Sequence, residues 1–132
     1  RSSAPILAKQ TKNMATQTGK RKFMINMVHL AKEMHNALNK NKLDNFGKIL
    51  HENWLLKKQM AEGITNSQVD KWYKAALKNG ATGGKLLGAG GGGFLLFYAP
   101  EEKHEKIKNS LSNLTYQKFT FEPQGSKIIF VD

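Results

Sequence analysis

The sequence predicts an α+β domain in which helices pack on one face of a mainly antiparallel sheet. Three observations carry this. Helical apolar periodicity fills the first 80 residues, short strand-like runs fill much of the rest, and only one segment among those runs has room for a helix. Close successive strands without a crossover helix pair antiparallel. The 132 residues, 39% apolar, suit one domain spanning 1–132.

In "RSSAPILAKQTKNMATQTG" Pro5 suits the first turn of a short helix, and Arg1 in place of methionine makes a cut end the expectation. The next run, "KRKFMINMVHLAKEMHNALNKN", places Phe23, Met27, Leu30, Met34 and Leu38 on one stripe that should face a core, leaving its lysines in water. A third helix, "KLDNFGKILHENWLLKKQM", repeats the pattern with Leu43, Phe46, Leu50 and Trp54 and should stop at Gly63, antiparallel to the second. A fourth runs from a capping box of Ser67 and Asp70 to Gly80, burying Val69, Trp72, Tyr73 and Ala76. Beyond the glycine-rich stretch come "FLLFYA", a helix opened by Pro100 with Glu101 and Glu102 at its positive end, and strands "YQKFTFE" and "SKIIFV".

Composition narrows the function. No cysteine is present, so disulfides and thiolate metal sites are excluded. No apolar run approaches the roughly 20 residues needed to span a bilayer, and no signal peptide opens the chain, which makes cytoplasm the expectation. Twenty-one basic against ten acidic residues give +11 and an affinity for anions. The charge is uneven: residues 1–61 carry 12 basic and 3 acidic side chains, +9, and residues 62–132 carry 9 and 7, +2. His29, His35, His51 and His104 have no partner at metal-ligand spacing, so no metal site is expected. Trp54, Trp72 and Tyr73 read as core residues rather than stacking platforms.

The stretch "GGKLLGAGGGGFLLFYAP" carries the chemistry, because five of the six residues 88–93 are glycine. Glycine costs roughly 0.5–1 kcal/mol relative to alanine in a regular element, so so dense a cluster needs a reason. A flexible linker would have polar flanks, whereas Leu86, Leu87, Phe94, Leu95 and Leu96 crowd this one. Gly88, Gly90 and Gly93 fit the dinucleotide fingerprint, but a strand follows where that motif needs a helix. A protein-kinase loop lacks its companion motifs, and a Walker loop would need Ser or Thr after Lys85, where Leu86 stands. What remains is a tight turn between strands whose bare amides face an anion. The competing reading assigns the glycines to turn geometry and close packing alone, for which two would suffice.

The segment "GATGGKLLGAGGGGFLLFY" resembles the third motif of the GHMP small-molecule kinases: galactokinase, homoserine kinase, mevalonate kinase and phosphomevalonate kinase. Together with "RSSAPILAKQ", "LHENWLLKK", "VDKWYKAALKNGA" and "FEPQGSKIIF", it is most similar to the subfamily of bacterial D-glycero-D-manno-heptose 7-phosphate kinases. The resemblance implies a ferredoxin-like C-terminal domain of an ATP-dependent sugar phosphate kinase. The ATP loop, catalytic aspartate and Mg2+-binding acid of that family belong to a preceding domain, which would bind ATP and Mg2+. The chain is thus expected to be a fragment that is inactive alone and has that N-terminal domain as its partner. The motif's phosphate-proximal positions fall on Gly88, Ala89, Gly90, Gly91, Gly92 and Gly93. Lys85 is a further candidate, with a solvated strand-end lysine as the alternative, and Arg1 and Ser2 match a segment bordering the substrate cleft. Two other classes stay open: a basic RNA- or DNA-binding module using the +9 of residues 1–61, against which the chain shows no RNA-recognition signature, and a structural or dimerisation domain using the helix pair.

Overall fold

In the computed structural model, residues 4–16, 18–42, 45–88 and 90–120 are described. Their elements run in the order α1 (Ala4–Thr16), α2 (Thr18–Asn39), α3 (Phe46–Lys58), α4 (Ser67–Lys78), β1 (Gly83–Leu87), β2 (Phe94–Tyr98), a 3-10 turn (Glu101–Lys103) and α5 (His104–Ser110). The α+β class is as expected. Strand "SKIIFV" and the end of "YQKFTFE" lie outside the described residues. Residues 116–120 are exposed and irregular rather than a strand, and no described segment lies beside them as a ladder partner.

α2 and α3 lie antiparallel. The Lys20 ammonium donates to the Gln59 carbonyl at one end of the pair, and Asn53 Nδ2 donates to the Met27 carbonyl, 3.4 Å, further along. The α2 stripe faces this contact through half-buried Phe23, Met27, Leu30 and Met34. Leu38 does not join it: at 49% exposure it has run past the partner helix. Arg21, Lys22, Lys32 and Lys40 are solvated, as the stripe pattern requires.

The densest core belongs to α3, α4 and the connection between them. Leu50 and Trp54 are buried on α3, Val69, Tyr73 and Ala76 on α4, while Leu43 is outside the described residues. Trp72 is half-buried. Met60 and Ile64, in the irregular connection, are buried as completely as Trp54, and Ala61 is buried beside them. Hence α3 stops at Lys58, before Gly63: the chain must leave the helix to seat Met60 and Ile64 in the core. Gly63 keeps a positive φ, +85°, but within the connection.

The start of α4 also differs from expectation by one residue. Asn66, not Ser67, is the N-cap; its side-chain oxygen accepts from the Val69 amide at 2.9 Å. Asp70 instead accepts from Lys58 Nζ and Thr65 Oγ1, both 3.0 Å. The expected stop at Gly80 holds. Gly80 takes φ +110°, its amide donates to the Leu77 carbonyl at 3.1 Å, and the Ala81 amide reaches the Ala76 carbonyl at 3.0 Å, the paired bonds of a Schellman cap. Ala76 and Ala81 then join Ile107 of α5 and Leu111, which caps its C-terminus, in a second small core.

β1 and β2 pair antiparallel from Gly83 opposite Tyr98 to Leu87 opposite Phe94. Phe97 packs on Tyr73 of α4, ring centroids 5.6 Å apart, and also meets the α5 cluster. α3 lies so close along β1 that a Cβ on Gly83 would sit 1.7 Å from the Gly47 carbonyl oxygen. Tyr73 Oη donates to the Gly84 carbonyl at 3.1 Å and is 2.8 Å from His51 Nδ1, tying α3, α4 and β1 together. Burial pushes the Tyr73 hydroxyl up to about 12, against the lowering effect of its bond to Gly84.

Candidate functional site

β1 and β2 meet at a hairpin tip formed by residues 88–93. Six residues are more than the two of the tightest hairpin turns, and positive φ values shape this longer tip: +109° at Gly88, +118° at Gly90, +67° at Gly91 and +119° at Gly93. L-residues rarely adopt these conformations, so four glycines, not two, are fixed by the turn itself. Packing adds to the demand. A Cβ on Gly90 would lie 2.8 Å from Ile64 Cα, and one on Gly93 would lie 2.2 Å from the Leu87 carbonyl oxygen.

The tip rests on the α3–α4 connection. The Gly91 amide donates to the Ile64 carbonyl at 3.1 Å, and Asn66 Nδ2 reaches the Gly91 carbonyl at 3.5 Å, the outer limit of a hydrogen bond. The Gly91 amide is therefore committed within the chain rather than offered to an anion.

Gly92 is different. It is exposed, its φ lies outside the left-handed range, and a Cβ there would meet nothing within 4 Å. Among the described residues, no contact requires a glycine at that position. Gly88 and Gly93 are also exposed, and below them the cross-strand pair Leu87 and Phe94 leaves apolar surface uncovered, Phe94 at 64% exposure.

Lys85 is half-buried on β1, three residues before the tip. Arg1, Ser2 and Ala89 lie outside the described residues. The histidines take ordinary roles: His29 lies 3.4 Å from Glu33, His35 Nε2 lies 2.9 Å from Asn39 Nδ2, His104 bonds the Ala99 carbonyl at 3.1 Å, and His51 meets Tyr73. Among the described residues no three His, Asp or Glu side chains group as a metal site, and no helix is long and apolar enough to cross a membrane.

Sequence reasoning passed over Lys57 and Gln10. Lys57, in the last turn of α3, donates to Gln10 Oε1 of α1 at 2.9 Å, and Gln10 is only 7% exposed. Burial first, and then the Lys85 ammonium, hold the Lys57 amine below its usual range. Gln10 set four residues from both Ile6 and Met14, on the face of α1 that packs inward, is the signal that could have pointed there.

Comparison with known proteins agrees with this architecture. A family model described as GHMP kinases, C terminal, matches residues 34–117, and the chain belongs to that family. It is 36% identical over 97 residues to D-glycero-alpha-D-manno-heptose 7-phosphate kinase of Campylobacter jejuni, covering 72% of this chain and 29% of that protein. It is 35% identical over 86 residues to the bifunctional fucokinase/GDP-fucose pyrophosphorylase of Arabidopsis thaliana, 64% of this chain and 8% of that one. In fold it is similar to L. major mevalonate kinase, solved in complex with R-mevalonate, with a TM-score of 0.77 and 23% identity over 86% of this chain and 35% of that one. The chain thus spans only a minor part of each relative.

Proposed function

We propose that this chain is the C-terminal domain of a cytoplasmic, ATP-dependent sugar phosphate kinase, with a heptose 7-phosphate as substrate, and that the hairpin tip forms the wall of the cleft nearest the transferred phosphate. Gly92 carries the reading. Every other described glycine of the tip answers to a backbone or packing requirement of this chain, whereas the space before Gly92 is open. A glycine there keeps the main chain bare for a close-lying group. The exposed Leu87 and Phe94 beside the tip offer an apolar seat for the N-terminal kinase domain, which would hold most of the ATP and Mg2+ contacts.

ATP, when bound, supplies the phosphoryl group. The residues of this chain contribute position and field: the tip sets how near the phosphate can lie, and its fixed dipoles act where water is excluded. Gly91 cannot test this cleanly, because φ +67° would strain any replacement. Gly92→Val can. In the complete kinase it should lower kcat/KM at least tenfold while the melting temperature stays within error; unchanged turnover would refute the placement of the tip.

A further inference from the structure

We infer that Lys57 of α3 and Lys85 of β1 form a two-cation site for a terminal phosphate dianion, walled on its inner side by Gln10 of α1. The inference deepens the reading above and rests on it for the choice of ligand, but its geometry stands apart from the glycine tip.

Gly47, Leu50, Trp54 and Lys57 recur at i, i+3, i+7 and i+10, a single stripe of α3. Gly47 at the head of that stripe packs on Gly83, and Leu50 and Trp54 are buried, so Lys57 leaves the helix on the same inward side. Residues of a strand alternate faces, so Lys85 shares with Gly83 the face of β1 turned to α3. The two side chains thus lie on facing sides of two packed elements, near enough for the Lys85 charge to act on the Lys57 amine.

Neither is neutralised. Among the described residues, Lys58 is paired with Asp70 at 3.0 Å, Lys9 with Glu62 and Lys108 with Glu105 at 2.7 Å, while neither Lys57 nor Lys85 has a carboxylate partner. Among the described residues Lys57 bonds the neutral amide oxygen of Gln10, itself buried, which orients the ammonium without cancelling its charge. Half-buried like charges without a counter-charge are costly, and the lowered Lys57 amine records that cost. A single carboxylate would offset one of them; a phosphate dianion matches both, and lysine binds phosphate as a compact point charge.

The test is a calorimetric titration of this chain with inorganic phosphate at constant ionic strength. One saturable site is expected, with binding weakened at least tenfold by Lys57→Met and by Lys85→Met, and unchanged by Lys22→Met on the solvated face of α2. Methionine preserves length and packing; Lys57→Met removes a half-buried charge that has no counter-charge but leaves the buried Gln10 Oε1 without its donor, so Lys85→Met, which breaks no described hydrogen bond, is the variant expected to melt no lower than the parent. Competition by a sugar monophosphate would assign the site to the acceptor's own phosphate, and competition by ATP alone would assign it to the nucleotide; either supports the site. Phosphate binding by Lys57→Met as tight as by the parent, or no saturable site in the parent, would overturn it. The readout is binding by this chain, so its failure is distinct from that of Gly92→Val, which is read in turnover.

Discussion

The glycines at the root of the hairpin and the glycine at its tip look alike in sequence and answer to different demands. At the root, Gly83 and Gly47 let α3 lie almost backbone to backbone against β1. At the tip, Gly92 faces open space. A glycine needed for contact inside the chain and a glycine needed for access from outside it give the same letter, and only the surroundings tell them apart.

Four substitutions break or sharpen this contrast. Gly83→Ala should be the most damaging, because its Cβ would fall 1.7 Å from the Gly47 carbonyl oxygen and force α3 off β1; a loss of at least about 3 kcal/mol is expected by denaturant unfolding. Gly90→Ala comes next, at about 2 kcal/mol, combining φ +118° with a 2.8 Å approach to Ile64 Cα. If it proved neutral, the tip would not rest on the connection. Asn66→Ala removes the α4 cap and a polar reach to the tip, and should cost about 1 kcal/mol of thermal stability. Gly92→Ala should change stability by no more than about 0.5 kcal/mol in the same assay. A loss comparable to that of Gly90→Ala would erase the distinction between tip and root.

Much of this was legible beforehand. The periodicity of Phe23, Met27, Leu30 and Met34 identified the contact face of α2, and Gly80 marked the end of α4, because helix patterning and capping are local. The burial of Met60 and Ile64 was not legible, since an irregular connection carries no period to read. Asn66 and Ser67 are both good caps; the fold selects Asn66 because Ile64, two residues earlier, is already fixed in the core. Leu38 continues the stripe of α2, but periodicity does not say how far the neighbouring helix extends. In the site, the glycine turn was legible and the division of labour within it was not, for the requirement at Gly90 comes from Ile64, distant in sequence. Lys57 was hidden for the same reason: Gln10 and Lys57 lie 47 residues apart.

The bond from the Gly91 amide to the Ile64 carbonyl turns the α3–α4 connection into a ruler for the hairpin. Surface loops ordinarily absorb insertions and deletions freely, yet a residue gained or lost between Met60 and Asn66 would shift the height at which the tip meets a second domain. Length variation among family members should therefore collect in the turn after α2, leaving this segment constant in size even where its letters drift.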